Sequence, residues 1–410
     1  MSVIDFIFFF YIFVALYMLS LFAFIYFPNM KKMFDYPKGK PAPVSIVMPC
    51  YNEGEHVGKA IESLISMNYP KDMIEIIVVD DKSSDNSVEV IKKYVEKYPN
   101  VRLIVNKRNS GGAAEPTNLG VKAAKYEYIA VTDADSTPDK DALIKMIGFL
   151  QKDKRVGAVT CAVLAKSPKT FMQRLQQIEY FVISFNRKLL DLVDAVYVTP
   201  GPFALYRKKI LLDVGLFDVK NMTQDIEIVW RMISHGYKAR MCLSARVYSE
   251  TPRRFKDWWR QRIRWNIGGT QSIIKHKKSI FKNGMLGFFI IPFFSFSLFL
   301  GIIGLGLFLY LLLRRILVSY LSTQYSVYAS TTIFYFEELT FAPSVLNFFG
   351  AVLFILGLVF TIIALTVMSA REIRNKNVFN LMFYLIVYLS IYPFIMITAL
   401  YKLIRGKYSW

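Results

Sequence analysis

Between Pro43 and Ala165 the chain alternates short apolar runs with stretches of helical period. Val44–Met48, Ile74–Val79, Val101–Val105, Tyr128–Val131 and Val156–Cys161 are rich in β-branched residues and predict strands. Glu55–Ser66, Asn86–Lys97, Ala114–Lys125 and Lys140–Lys152 place apolar side chains on one helical face and predict helices. Strands and helices in strict alternation predict an α/β fold with a mostly parallel sheet covered on both sides. Such sheets bind ligands beyond the carboxyl ends of their strands.

Outside this region the pattern is uniformly apolar. Phe6–Phe27, Gly284–Leu313, Val345–Ala370 and Val378–Leu400 carry no charge, and each reaches the roughly 20 residues needed to cross a hydrocarbon core. The first has no basic stretch before it and no small-residue cleavage site, so it predicts a retained anchor rather than a signal peptide. Lys31, Lys32, Lys38 and Lys40 follow it, which puts the region from about 30 to 283 on the cytoplasmic side. The C-terminal end poses a problem. Arg371, Arg374 and Lys376 on one side of the last run, and Lys402, Arg405 and Lys407 on the other, both favour the inside. Either that run forms a re-entrant hairpin at Pro393, or Ile316–Phe336 adds a span. The expected organisation is an N-terminal membrane helix (1–30), a cytoplasmic domain (43–250), a basic interface region (251–283) and a C-terminal membrane region (284–410).

From Thr170 to Asp194, Leu175, Ile178, Val182, Phe185, Leu189 and Leu192 form one apolar stripe opposite Arg174, Gln177 and Lys188. The stripe suits a helix on a membrane surface as well as one packed within the domain.

Composition narrows the function classes. The chain has 54% hydrophobic residues and a mean hydropathy of +0.33, too apolar for a wholly soluble protein. Its net charge of +20 is crowded beside the apolar runs, so an anionic leaflet and a phosphorylated substrate account for it better than nucleic acid. Cys50, Cys161 and Cys242 are odd in number and far apart, which fits a reducing compartment. No Cys or His spacing suggests zinc. The Asn109-to-Asn118 loop has Gly111 and Gly112 but no Walker-type lysine, which disfavours a phosphate-cleaving ATPase.

Polar motifs cluster where the predicted strands end. Pro49-Cys50-Tyr51-Asn52-Glu53 follows the first, and Tyr51 offers a ring to a nucleobase. Asp80-Asp81-Lys82-Ser83-Ser84-Asp85 follows the second; taken alone, its acids read as turn formers and caps. Thr132-Asp133-Ala134-Asp135 follows the fourth, with two carboxylates within reach of one hard cation such as Mg2+ or Mn2+. Thr223-Gln224-Asp225 opens a helix, an address suited both to a capping acid and to a general base. Pro252 to Lys282 holds ten Lys or Arg and one acid, and contains Gln261-Arg262-Ile263-Arg264-Trp265. Arginines beside an indole can hold a diphosphate while a sugar ring rests on the aromatic face. A basic helix end at a membrane surface has the same composition.

Taken in order, these motifs resemble those of the membrane-embedded family-2 glycosyltransferases, particularly the cellulose, chitin and hyaluronan synthase branch. The resemblance spans roughly residues 44 to 270 and the flanking apolar helices. It implies a GT-A-like sheet and inverting transfer of a sugar from a nucleotide diphosphate donor to a polysaccharide or lipid-linked acceptor. It implies further that Tyr51, Glu53 and Asp81 hold the nucleoside, that Asp133 and Asp135 carry the metal, and that Asp225 is the general base. Gln261 and Arg264 would neutralise the departing diphosphate, and Trp265 would stack under the acceptor sugar. Two positions depart from the family pattern: Ala113 stands where a lysine is usual, and Gln224 where a glutamate is common.

The leading expectation is a processive synthase of the plasma membrane that threads its product through its own helices. The runner-up adds one sugar to a lipid such as a polyprenyl phosphate or ceramide. A non-catalytic membrane protein is a third reading, disfavoured because the metal and base carboxylates are retained. A transporter is disfavoured because the four apolar runs carry no charge.

Overall fold

The computed structural model describes residues 3–329, 345–369 and 378–408. The strands are β1 (Val44–Cys50), β2 (Ile74–Asp80), β3 (Val101–Val105), β4 (Tyr128–Val131), β5 (Ser136–Pro138), β6 (Val156–Ala165), β7 (Ala204–Arg207) and β8 (Lys238–Ser249). They form one eight-stranded sheet in the order β3-β2-β1-β4-β7-β6-β8-β5. Pairs β3-β2, β2-β1, β1-β4 and β6-β8 are parallel, while β7 runs antiparallel to both its neighbours and β5 antiparallel to β8. The five strands expected from periodicity are present. The three that were not expected are two short ones and β8, whose polar and apolar residues mix.

The helices are α1 (Val3–Asn29), α2 (Val57–Ile65), α3 (Ser87–Lys97), α4 (Ala114–Ala123), α5 (Ala142–Lys152), α6 (Phe171–Asp191), α7 (Lys208–Asp213), α8 (Gln224–Ser234), α9 (Phe255–His276), α10 (Ile291–Tyr328), α11 (Val345–Ser369), α12 (Val378–Phe383) and α13 (Tyr392–Ile404). Alternating residues of the central strands feed two cores. Val47, Ile77 and Val79 face Val121, Phe185 and Trp230 on one side. Ile46, Met48, Ile76 and Val78 face Leu64, Ile147 and Leu150 on the other. The first core continues into Leu286, Ile291, Ala364 and Met368, so the apolar helices dock on one face of the sheet domain.

Helix α6 mediates that docking. It opens on a capping box between Thr170 and Gln173. Its second half is covered on both faces: Lys188, expected on the exposed side, is buried and pairs with Asp191 at 2.8 Å, while Arg174 in the first turn stays exposed. The helix therefore packs inside the molecule instead of lying free on a membrane surface.

Four segments are long and apolar enough to cross a membrane: Phe9–Lys32, Leu286–Tyr328, Ala351–Met368 and Val378–Ile404. Among the described residues the expected extra span does not form as a separate helix. Residues 316–328 continue α10, because nothing at Ile316 breaks it; residues 330–336 lie outside the described part. Arg314 and Arg315 fall roughly 35 Å along α10, about one hydrocarbon thickness from its start. The expected hairpin at Pro393 is absent too, since proline at the first turn of α13 costs no hydrogen bond and the helical path continues. The segment instead sets α12 against α6 and α13 beside α9. Phe383 meets Phe171 at one end, and Gln271 donates to Tyr408 Oη (3.3 Å) at the other.

Candidate functional site

The loops after β1 and β2 are laced together. Asn52, at φ +54°, accepts from the Ser84 backbone (2.8 Å) and donates its own N–H to Ser83 (2.9 Å). The Glu53 N–H donates to Ser87 Oγ (2.8 Å), and that of Gly54 to Asp85 (3.0 Å). Asp85 thus serves the turn, the simpler of its two sequence readings. Asp81 is buried, with one oxygen accepting from Asn106 (2.8 Å) and the other from Ser110 N–H (2.9 Å) and Oγ (2.7 Å). It anchors the glycine loop that begins at Asn109. Tyr51 stands exposed at the rim.

Asp133 and Asp135 follow β4 at the carboxyl edge of the sheet. The loop before β7 closes over them: a Cβ at Gly201 would lie 2.7 Å from an Asp133 carboxylate oxygen. Only glycine lets the backbone come so near that carboxylate. Two residues earlier, Thr199 N–H donates to the Asp225 carbonyl (3.4 Å), so one loop ties the Asp133 and Asp225 regions together.

Asp225 sits in the first turn of α8, one oxygen accepting from the N–H of Ile226 (3.1 Å). The loop before it is fastened to α9. Met222 N–H donates to Gln271 (2.9 Å), and Asn221 to Ser272 (3.1 Å). Gly268 leaves no room for even a Cβ, which would lie 2.2 Å from Thr223 Oγ1. Glu227, further along α8 and solvent-inaccessible, pairs with Arg231, with Lys275 (2.7 Å) and with His276 (3.3 Å). The hydrogen bonds from His276, Arg231 and Lys275, with the charge of Arg231, outweigh burial and hold its carboxyl down to about 2. Helices α8 and α9 are therefore locked in one register, which sets Asp225 against Arg264.

The acids form one electrostatic neighbourhood. Burial pushes Asp133 up, with Asp135, Asp225 and Glu53 adding to the rise and Arg264 opposing it. Burial also raises Asp225, again opposed by Arg264, and it raises Asp135. Glu53 rises to about 7 through burial, Asp135, Asp85 and Glu250. Asp133, Asp135, Asp225, Arg264 and Trp265 each keep some accessible surface, as residues lining a recess do. Among the described residues no three His, Cys, Asp or Glu side chains converge in the geometry of a metal cage. Two carboxylates with a glycine-walled approach, in surroundings rich in uncompensated acid, do fit a hard divalent cation that takes its other ligands from water and phosphates.

Within the Gln-Arg-Ile-Arg-Trp motif the side chains split. Gln261 accepts from Arg262 (2.9 Å). Arg262 is completely buried, pairs with Glu179 of α6, and lays its guanidinium over the Trp265 ring at 3.9 Å from the centroid. Glu179 also accepts from Tyr388 (2.6 Å) and Tyr392, and Trp258 Nε1 donates to Tyr388 (2.7 Å). This hub joins α6, α9 and the C-terminal segment behind the indole. The sequence offered Arg262 together with Arg264 to a diphosphate, but Arg262 is sealed in the interior and spent on Glu179, to which the sequence assigned no role. The available signal was a carboxylate at position 179 next to Ile178 in the apolar stripe.

Comparison with known proteins agrees with this architecture. Residues 45–215 match the family "Glycosyl transferase family 2". A poly-beta-1,6-N-acetyl-D-glucosamine synthase of Staphylococcus epidermidis is 32% identical over 253 residues, covering 61% of this chain and 60% of its own length. The corresponding synthase of Staphylococcus aureus (strain COL) is 29% identical over 299 residues, 72% of either chain. The chain thus spans about three fifths of the first relative and nearly three quarters of the second. A mannosyltransferase of Pyrobaculum calidifontis, solved with GDP-Man and Mn2+, shares the fold over 97% of this chain and 99% of that one, with a TM-score of 0.61 and 17% identity. The sheet domain and the relatives point the same way: residues 45–215 form a family-2 glycosyltransferase domain, flanked by helices long and apolar enough to cross a membrane.

Proposed function

We propose that the chain polymerises N-acetylglucosamine from its nucleotide diphosphate at the cytoplasmic face of the plasma membrane, with inversion at the anomeric carbon. The product would pass outward between the chain's own membrane helices. The observation that carries this reading is that Asp133, Asp135, Asp225 and Arg264 share one electrostatic neighbourhood at the carboxyl edge of the sheet. The names of the related synthases support the sugar and the polymeric product.

In this reading Tyr51, Glu53 and Asp81 line the nucleoside end. Asp133 and Asp135 would hold Mg2+ or Mn2+, which supplies positive charge to the diphosphate. Arg264 and Gln261 face the leaving group, where negative charge grows as the sugar–oxygen bond breaks. Asp225 takes the proton of the acceptor hydroxyl as that oxygen bonds the anomeric carbon, and the nucleoside diphosphate departs from the opposite face. A carboxylate raised by burial is a better proton acceptor than one in water, and the Arg264 charge opposes that rise. Trp265 supports the acceptor ring, its other neighbour being the Arg262 guanidinium.

The test is purified protein in nanodiscs with a panel of labelled nucleotide sugars, followed by product sizing. A ladder of N-acetylglucosamine oligomers is expected. A single organic-soluble product would replace polymerisation with transfer to a lipid.

A further inference from the structure

The guanidinium of Arg187 is a buried charge that the scheme above does not use. Arg187 lies in the last third of α6, on the face that meets the sheet; Ser184, one turn earlier, donates to the Val163 carbonyl of β6 (3.4 Å). Its residue is 5% exposed. Neither Nε nor Nη1 has a hydrogen-bond partner, and among the described residues no carboxylate lies within ion-pair distance. The polar groups whose fields it feels are Tyr197, Cys161 and Asp225. Tyr197 packs its ring on Phe294 of α10 (centroids 4.6 Å apart), and its carbonyl accepts from Trp230 (3.2 Å).

An arginine with empty donors is expensive to bury, and it persists in a packed interior when something else completes it. The candidates are limited by position. Asp133, Asp135 and Arg264 flank the donor diphosphate in the proposed reading, whereas Arg187 approaches Asp225 from the α6 side, beside the Tyr197 that packs on α10. The group that must sit beside Asp225 there is the sugar whose hydroxyl it deprotonates. A planar fork of N–H donors matches adjacent oxygens of such a ring.

We propose that Arg187 is an acceptor-binding residue that donates hydrogen bonds to oxygens of the acceptor sugar and holds the reacting hydroxyl against Asp225. This rests on the reading of the chain as a synthase of N-acetylglucosamine polymer.

The experiment uses the full chain in nanodiscs, with UDP-N-acetylglucosamine as donor and short β-1,6-linked N-acetylglucosamine oligomers as acceptors. Arg187→Met and Arg187→Lys are compared with the native chain by acceptor KM, donor KM and thermal midpoint. The acceptor KM is expected to rise about tenfold in Arg187→Met, the loss of one charge-assisted hydrogen bond, with a smaller rise in Arg187→Lys. The donor KM stays within about twofold. Arg187→Met keeps or raises the thermal midpoint, because it removes an uncompensated buried charge. An unchanged acceptor KM, a raised donor KM, or a fall in midpoint with both KM values intact each overturns the assignment while leaving the synthase reading in place. If the native chain turns over no N-acetylglucosamine nucleotide, the synthase reading fails and takes this assignment with it.

Discussion

Replacing Glu179 by glutamine tests how the indole of Trp265 is held. Glu179 is 3% exposed and Arg262 is 0% exposed, so the pair is sealed from water among Tyr388, Tyr392 and Trp258. Glutamine preserves the size and one acceptor oxygen but leaves the guanidinium without a counter-charge. Removing one partner of a buried ion pair costs about 3–5 kcal/mol; the retained acceptor favours the lower end. At about 2 °C per kcal/mol for a large domain, the thermal midpoint falls by roughly 5 °C or more. The assay is a thermal scan of detergent-solubilised protein at fixed scan rate, read by intrinsic tryptophan emission. Transfer falls as well, because the cation that rests 3.9 Å from the Trp265 centroid is no longer fixed. The double variant Glu179→Gln/Arg262→Met separates the effects. Deleting both charges restores most of the midpoint, while transfer stays low because the indole has lost its support. A Glu179→Gln protein within about 1 kcal/mol of the native one, or a double variant less stable than the single, refutes the reasoning.

Asp225→Asn is expected to abolish sugar transfer while nucleotide binding, measured by calorimetry, persists; native turnover would remove Asp225 from the mechanism. Asp135→Ala should weaken nucleotide affinity in the presence of Mg2+ or Mn2+ and leave the metal-free affinity unchanged, and equal affinities with and without the ion count against Asp133 and Asp135 as its ligands. Glu227→Gln should lower stability at pH 7 by roughly 3 kcal/mol, the equivalent of moving a carboxyl from 4.5 to about 2. Because the folded value lies below the unfolded one, this stabilisation is complete above about pH 4.5 and disappears as pH falls towards 2. The native chain should therefore lose stability between pH 5 and pH 3 more steeply than the variant, and parallel curves would show that Glu227 does not link α8 to α9 through charge.

Much of this protein was already legible in the order of its residues. Alternating β-branched runs and helical periods determined the central sheet, because side-chain direction repeats every two residues in a strand and every 3.6 in a helix. The same local rules placed Glu53, Asp81 and Asp133 just beyond strand ends, and uncharged runs of sufficient length marked the apolar helices. Tertiary structure alone decided what those residues meet. β7 inserts antiparallel between β4 and β6, and the loop before it carries Gly201 onto Asp133. Arg262 finds its counter-ion 83 positions away in α6, and Tyr392 reaches the same carboxylate across 213. Helix α13 lies along α9, and the helical path runs through Pro393 without the hairpin that loop charges suggested. A short window of sequence records hydrophobicity and period, but the partner of a buried charge is supplied by whichever distant element packs against it, and only the folded chain brings the two together.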